Sequence, residues 1–386
     1  MENQIEFRHI TLPNKISIIF VPKYHYNHYF CSLGFNIGGY NNSYKLNNVN
    51  YDLPMGTAHF MEHLIFYSSE NIFQEFTANG LEINAYTGPS HTGFHVEGTK
   101  NIVNAVKQIL KLISNFKLNS KRINIERNLI KNELNLYSEI DEEKLIKNMI
   151  LKMIKSNNYH IDICGTNESL KEINENIINF TYEHIYRNEN MLITISGLFD
   201  KKDEENIIQE LNLLNINSTN QEVALKNISK ATLISGYEKF TDENSSKSYY
   251  AFSNKIQKKE RLLFEICLKI IYKSISKDDK YLNIEYEINF YEDFIFSYIH
   301  SYELITMYTI SKILNDLNEK NLNDIKKSLL LDYLIECDCL EDISYKVIEY
   351  WTYDINYFDF NIILNEINLD KLINVLENHF NNKNKT

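Results

Sequence analysis

The sequence predicts an α+β fold made of two domains of similar architecture. Three observations carry this expectation. Short β-branched, apolar runs alternate with longer segments of helical periodicity along the whole chain. The length, 386 residues, is long for one compact core and comfortable for two. The second half repeats the order of strands and helices seen in the first, after a polar, turn-rich stretch. No residue-level repeat accompanies that similarity.

The elements follow in order. Residues 16–22 and 30–37 are β-branched and apolar and read as strands. Residues 38–50 read as a polar loop. Leu53-Pro54-Met55-Gly56 follows, and Thr57 stands where a helix cap is expected. The helix begun there carries His59-Phe60-Met61-Glu62-His63. A short helix is expected over 73–78, stopped near Gly80. Strands at 83–87 and 92–97 flank the turn Gly88-Pro89-Ser90. Val103, Val106, Ile109, Leu110 and Ile113 recur at helical spacing. A long helix then runs from Asn119 or Ser120 to about residue 154, weakest between Ser138 and Asp141. Residues 192–196 read as a strand ended by Gly197, and 203–211 as a helix. In the second half, strands fall near 249–253, 282–290 and 294–300, with helices near 261–274 and 322–336. The expected division is 1–214, a linker at 215–225, and 226–386.

Composition excludes several function classes. Hydrophobic residues at 44% and charged residues at 24% suit ordinary globular cores. A formal net charge of −12 argues against nucleic-acid binding and against docking on anionic lipid. The five cysteines, Cys31, Cys164, Cys267, Cys337 and Cys339, are odd in number and widely spaced. They read as reduced, partly buried thiols, which suits a cytoplasmic protein. Cys337 and Cys339 lie two apart and would point in different directions on a helix. Residues 1–15 lack the apolar run of a signal peptide, and no apolar run reaches membrane-spanning length. The expectation is a cytoplasmic protein without membrane insertion.

The chemistry concentrates in H-x-x-E-H at 59–63. His59 and His63 are i and i+4, and Glu62 is i+3 from His59, so one helical face holds all three. Two imidazoles can hold Zn²⁺ while the carboxylate reaches a water at the metal. The bland alternative is an amphipathic helix with Phe60, Met61, Leu64 and Ile65 packed and the polar residues exposed. The pentapeptide alone does not decide between them. A catalytic zinc also needs a third protein ligand. Glu126 and Glu133, i and i+7 on the long helix, share a face. One can complete the site and the other can stand behind it. Glu139, Glu142 and Glu143 read as a solvated surface.

Here a resemblance enters. Gly56-Thr57-Ala58-His59-Phe60-Met61-Glu62-His63-Leu64 resembles the active-site helix of the insulinase/pitrilysin (inverted zincin) metallopeptidases. Asn84-Ala85-Tyr86-Thr87 with His91-Thr92 resembles that family's edge strand. Glu126-Arg127-Asn128 with Glu133 resembles its glutamate segment, and 188–197 the strand closing its first domain. The four blocks keep the family's order across roughly the first 200 residues. The resemblance implies a zinc endopeptidase with His59, His63 and Glu133 as ligands. It implies Glu62 as general base and Glu126 as an accessory glutamate. It implies that Asn84, Ala85 and Tyr86 lie on the edge to which a peptide substrate adds as a strand. His95, two residues beyond Gly93, is expected in the wall of the cleft, and His91 to be exposed in its turn.

The family fold implied is two halves around a chamber. Each half holds two homologous α/β domains with mainly antiparallel sheets flanked by helices. This chain is long enough for one half of such a clam-shell. It resembles the small branch, whose members pair, as mitochondrial processing peptidase and bacterial heterodimeric peptidases do. The opposite half is expected to supply an arginine and a tyrosine that steady the substrate carbonyl. The matching stretch here, 274–286, holds no arginine; Tyr281 and Tyr286 are its candidate remnants. The expected partner is therefore a homologous subunit bearing that pair, ahead of a homodimer. Leader-peptide or peptide-bacteriocin processing and general oligopeptide turnover are the rival roles, and an acidic chamber wall would favour basic peptides. The alternative from another class is a non-catalytic core subunit of a complex sharing the fold; those usually have eroded zinc motifs.

Overall fold

Near-continuous apolar runs build the middle of the first sheet. In this computed structural model its strands are β1 (Arg8–Thr11), β2 (Ser17–Pro22), β3 (Tyr29–Phe35), β4 (Leu81–Thr87), β5 (Thr92–Gly98) and β6 (Met191–Gly197). Their spatial order is β1-β2-β6-β3-β5-β4. Only β2 and β6 are parallel; the other neighbours are antiparallel. β3 and β6 are buried at every position, as central strands covered on both faces must be. β4 closes the sheet, so one row of its backbone groups has no strand beside it within the sheet.

The structure describes residues 5–380, apart from 47, 69–70, 139, 156–161, 218–222, 225–231, 235–236, 242–247, 278–283, 292–293, 303–304 and 306. Tyr281 and most of the expected 215–225 linker lie outside the described residues.

Two compact units emerge. The first is built from Met1–Glu139, Ile161–Ile228 and Cys337–Thr352, the second from Ile140–His160, Ser229–Glu336 and Tyr353–Thr386. In the first unit, Leu33, Phe94 and Val96 join Phe60, Leu64, Ile109 and Ile113 in one apolar core. That core seats α1 (Thr57–Phe66), α2 (Ile102–Ser114) and α3 (Ser120–Ser138). Side chains of β3 and β6 alternate across the sheet, so its other face needs cover too. Helix α4 (Leu340–Thr352), from far along the chain, supplies it. Ser196 on β6 donates to the Leu340 carbonyl at 2.8 Å and meets Ser344 Oγ at 3.1 Å.

The second unit holds a four-stranded antiparallel sheet in the order Tyr237–Thr241, Ser248–Lys255, Phe294–Ser301, Glu285–Tyr291. Helix Arg261–Ile275 is buried at most of its positions. Tyr286 packs its ring against Tyr272, centroids 4.7 Å apart.

Several local expectations need correction. The stretch 38–50 is not a plain loop: Ser43–Leu46 and Val49–Asp52 form a hairpin. Its alternation is short and half polar, which hid the strands. β1 is largely exposed and polar, so periodicity could not announce it. Thr57 does not cap α1. Gly56 occupies the cap with φ 86°, while Thr57 Oγ1 donates to the Pro54 carbonyl at 2.6 Å. The long helix does stop at its weak point, and a separate helix runs over Asp141–Met153.

Candidate metal centre

Helix α1 is buried almost all round, polar residues included. Phe60, Met61, Leu64 and Ile65 pack as expected, but Glu62 and His63 are each only 7% exposed. The amphipathic alternative, with those groups in water, does not describe it. Buried polar groups must find partners. Theirs lie on α3 and β4.

Glu126 is fully buried on α3. Its Oε2 lies 3.0 Å from His63 Nδ1, and its Oε1 lies 3.0 Å from Arg122 one turn before it. A carboxylate accepting at Nδ1 leaves His63 Nε2 as the free acceptor nitrogen. Glu133, two turns on, brings Oε2 to 3.6 Å from His59 Nε2 and 3.6 Å from His63 Nε2. The two imidazole centroids stand 4.6 Å apart. Glu62 accepts from Thr87 Oγ1 on β4 at 3.0 Å, and its Oε2 is 3.9 Å from His59 Nε2. Arg127 braces α3 by donating to the carbonyls of Leu170 and Ile173 at 2.9 and 2.7 Å.

Electrostatics sort these groups. Burial, with His63 beside it, pushes His59 down to about 3, so it stays neutral. Burial opposes the charge on His63, but the Glu126 hydrogen bond and the carboxylates of Glu62 and Glu133 outweigh it and raise it. Burial pushes Glu62 up to about 7, partly offset by His63 and the Thr87 hydrogen bond.

The donor set fits a divalent zinc ion. Ligands about 2.0–2.1 Å from a tetrahedral zinc stand roughly 3.3–3.4 Å apart. The two nitrogen–oxygen gaps of 3.6 Å at Glu133 are close to that edge. A fully buried carboxylate behind one imidazole is the usual orienting partner of a metal-bound histidine.

Sequence reasoning missed one member. Cys164 Sγ, a ring nitrogen of His59 and a Glu133 carboxylate oxygen all lie within 4.8 Å of one another. Cys164 is buried and forms no disulfide. Burial and the Asp162 carboxylate push its thiol up, with Glu133 and Glu62 adding to the effect. Nothing in its spacing from the motif could signal this, because a tight turn brings it in.

The remaining candidates fall elsewhere. Asn84 is exposed and Ala85 half-buried on the free edge of β4. The Tyr86 side chain turns to the α4 face, where its hydroxyl meets His91 Nε2 at 3.1 Å and its ring meets Tyr345 at 4.7 Å. His95 is not in a cleft wall. It lies under α4, stacked on Phe30 at 4.8 Å with Nδ1 3.0 Å from the Tyr345 hydroxyl. His91, expected in water, is 5% exposed. A separate cavity of about 670 Å³ touches Phe73, Gly80, Glu82 and Glu97 at the far end of β4, away from these groups.

Comparison with known proteins places part of the chain beside one peptidase family. Residues 50–167 match the model of the insulinase family, peptidase family M16. Over 195 residues the chain is 27% identical to the uncharacterised zinc protease YmfH of Bacillus subtilis, covering 50% of this chain and 46% of that protein. Over 149 residues it is 26% identical to a protein of Schizosaccharomyces pombe named as the β subunit of mitochondrial-processing peptidase, covering 37% of this chain and 32% of the other. These matches span less than half of the curated relatives' own length. Among solved structures, an M16-like peptidase from Alicyclobacillus acidocaldarius superimposes with a TM-score of 0.84 at 17% identity, covering 98% of this chain and 96% of that one. A domain described as an inactive M16 peptidase domain, from Pseudomonas fluorescens, superimposes with a TM-score of 0.70 at 11% identity, covering 97% and 95%. At such identities these structures speak to fold alone.

Proposed function

We propose that this chain, whose residues 50–167 match the insulinase (M16) family model, is the zinc-bearing subunit of an endopeptidase acting on short, unfolded peptides. The observation that carries the reading is Glu133, whose carboxylate stands equidistant from the two motif imidazoles, with Glu126 fixing one of them from behind.

In this reading His59, His63 and Glu133 hold Zn²⁺. When bound, zinc supplies a Lewis acid that polarises the scissile carbonyl and lowers the pKa of water. Glu62 takes a proton from the attacking water on its carboxylate and passes it to the leaving amine nitrogen. Thr87 Oγ1, donating to Glu62 Oε2, holds the carboxylate while it does so. The same hydrogen bond ties the base to the end of β4, the free edge where an extended peptide can add as a strand. Main-chain pairing there selects for an extended, unfolded substrate and reads its side chains weakly. Asn84 and Ala85 line that edge, whereas Tyr86 contributes its backbone.

The arginine and tyrosine expected to steady the substrate come, on this reading, from a homologous partner subunit. The isolated chain should then bind zinc and cleave slowly until that partner is added. The test is Glu62→Gln in the assembled enzyme. Hydrolysis of an unstructured peptide should fall by at least about 10²–10⁴-fold with zinc content unchanged. Retained activity removes Glu62 as the base. A chain that binds no zinc and stays inactive with any homologous partner would instead support a core-subunit role.

A further inference from the structure

We propose that Cys164 is a fourth, displaceable protein ligand of this metal centre, closing the coordination position that substrate needs. The proposal rests on the reading of His59, His63 and Glu133 as metal ligands. Its own ground is the geometry of the turn that delivers the thiol. Cys164 Sγ lies within 4.8 Å of ligand atoms of both His59 and Glu133. A zinc–sulfur bond is about 2.3 Å and a zinc–nitrogen bond about 2.0–2.1 Å, so ligand atoms on one ion stand roughly 3.3–3.6 Å apart, and the thiol has to turn inward to reach an ion held by His59, His63 and Glu133.

The backbone fixes the thiol there. Asp162 Oδ1 accepts from the Cys164 amide at 2.9 Å, and the Asp162 carbonyl accepts from the Gly165 amide at 2.8 Å. This turn abuts the residues just before α1. A Cβ on Gly56 would stand 2.5 Å from the Cys164 carbonyl, and one on Gly165 would stand 2.5 Å from the Met55 carbonyl. Both glycines have φ near 87°, which other residues rarely adopt. His59 follows Gly56 by three residues. The turn carrying the thiol and the helix start carrying the imidazole are therefore locked together, with no side-chain-sized gap between them.

Three protein ligands leave zinc an open position, whereas four close it. On metal binding, the sulfur–metal bond forms, the thiol proton leaves to solvent, and a water is expelled from the metal. When a peptide arrives, the sulfur–metal bond breaks, the thiolate takes a proton from solvent, and the position opens. No electron is transferred in either direction. The resting centre is then His₂-Glu-Cys and the working centre His₂-Glu.

Cobalt substitution tests this without reference to activity. The cobalt-loaded wild-type chain should show a sulfur-to-cobalt charge-transfer band beside its d–d bands. Cys164→Ser should keep the d–d bands, lose the charge-transfer band, and bind metal at least about tenfold more weakly. Cadmium NMR gives a second reading: the wild-type resonance should lie in the sulfur-ligated range and that of Cys164→Ser outside it. Stoichiometric cobalt with no charge-transfer band, or a band that survives Cys164→Ser, overturns the thiol proposal and leaves the zinc reading standing. Failure to bind cobalt or cadmium at all overturns both.

Discussion

Single residues show how far spacing carries an argument. His59, Glu62 and His63 are tied by one helical turn, and Glu126 and Glu133 by two, so covalent geometry already placed each set on a face. What spacing could not show is which nitrogen each carboxylate meets, or that Cys164 joins them. It also misplaced His91 and His95, because alternation on β5 puts His95 on the α4 face and no sequence pattern names α4 as its cover. Those two histidines carry a prediction. Burial pushes each down to about 4 from an ordinary value near 6.5; for His91, Glu349 partly opposes this and Lys346 adds to it. The unfolded chain therefore takes up protons near pH 6.5 that the folded chain refuses until about pH 4. Stability is fully present above 6.5 and is lost as pH falls toward 4, by roughly 3 kcal/mol per histidine at most. Denaturant unfolding of His91→Gln and His95→Gln should show a shallower loss between those pH values than wild type. Equal slopes would mean that neither histidine titrates as described.

Elements show where periodicity succeeds and where it fails. Helix α2 and strands β3, β5 and β6 were legible because each carries an apolar pattern of its own period. β1 and the hairpin at Ser43–Asp52 were not, since both are short and mostly polar. Helix α4 shows a different limit. From the sequence no helix is expected over 340–352, and even a recognised apolar face says only that it is buried and never against what. The start of α1 was misread for a related reason: a Thr signals a side-chain cap, while a left-handed glycine works through its backbone. Gly56→Ala should therefore cost more than about 2 kcal/mol, from the left-handed backbone and the collision with the Cys164 carbonyl. It should weaken zinc binding at the same time, because His59 and Cys164 move apart. A variant with unchanged midpoint in urea and unchanged zinc affinity would show that the close approach is not needed.

At the scale of the whole molecule, the sequence suggests two serial domains; each compact unit gathers segments far apart in the chain, Cys337–Thr352 with Met1–Glu139 in one and Ile140–His160 with Ser229–Glu336 in the other. Local periodicity holds no information about such gathering, which long-range packing decides. The residues of the proposed metal centre all lie within the first unit, on α1, α3 and the turn at 162–165, so metal binding can be measured on this chain alone. Among the described residues no helix is long and apolar enough to cross a membrane. Peptide hydrolysis, by contrast, is a property of the proposed assembly, and its partner must be found separately. The most direct test of the central claim is the zinc content of the purified 386-residue chain and its variants. Wild type and Glu62→Gln should each hold about one zinc per chain, while His59→Ala and Glu133→Ala should hold little. Absence of zinc in the wild type, or full loading of both alanine variants, would contradict the assignment of His59, His63 and Glu133.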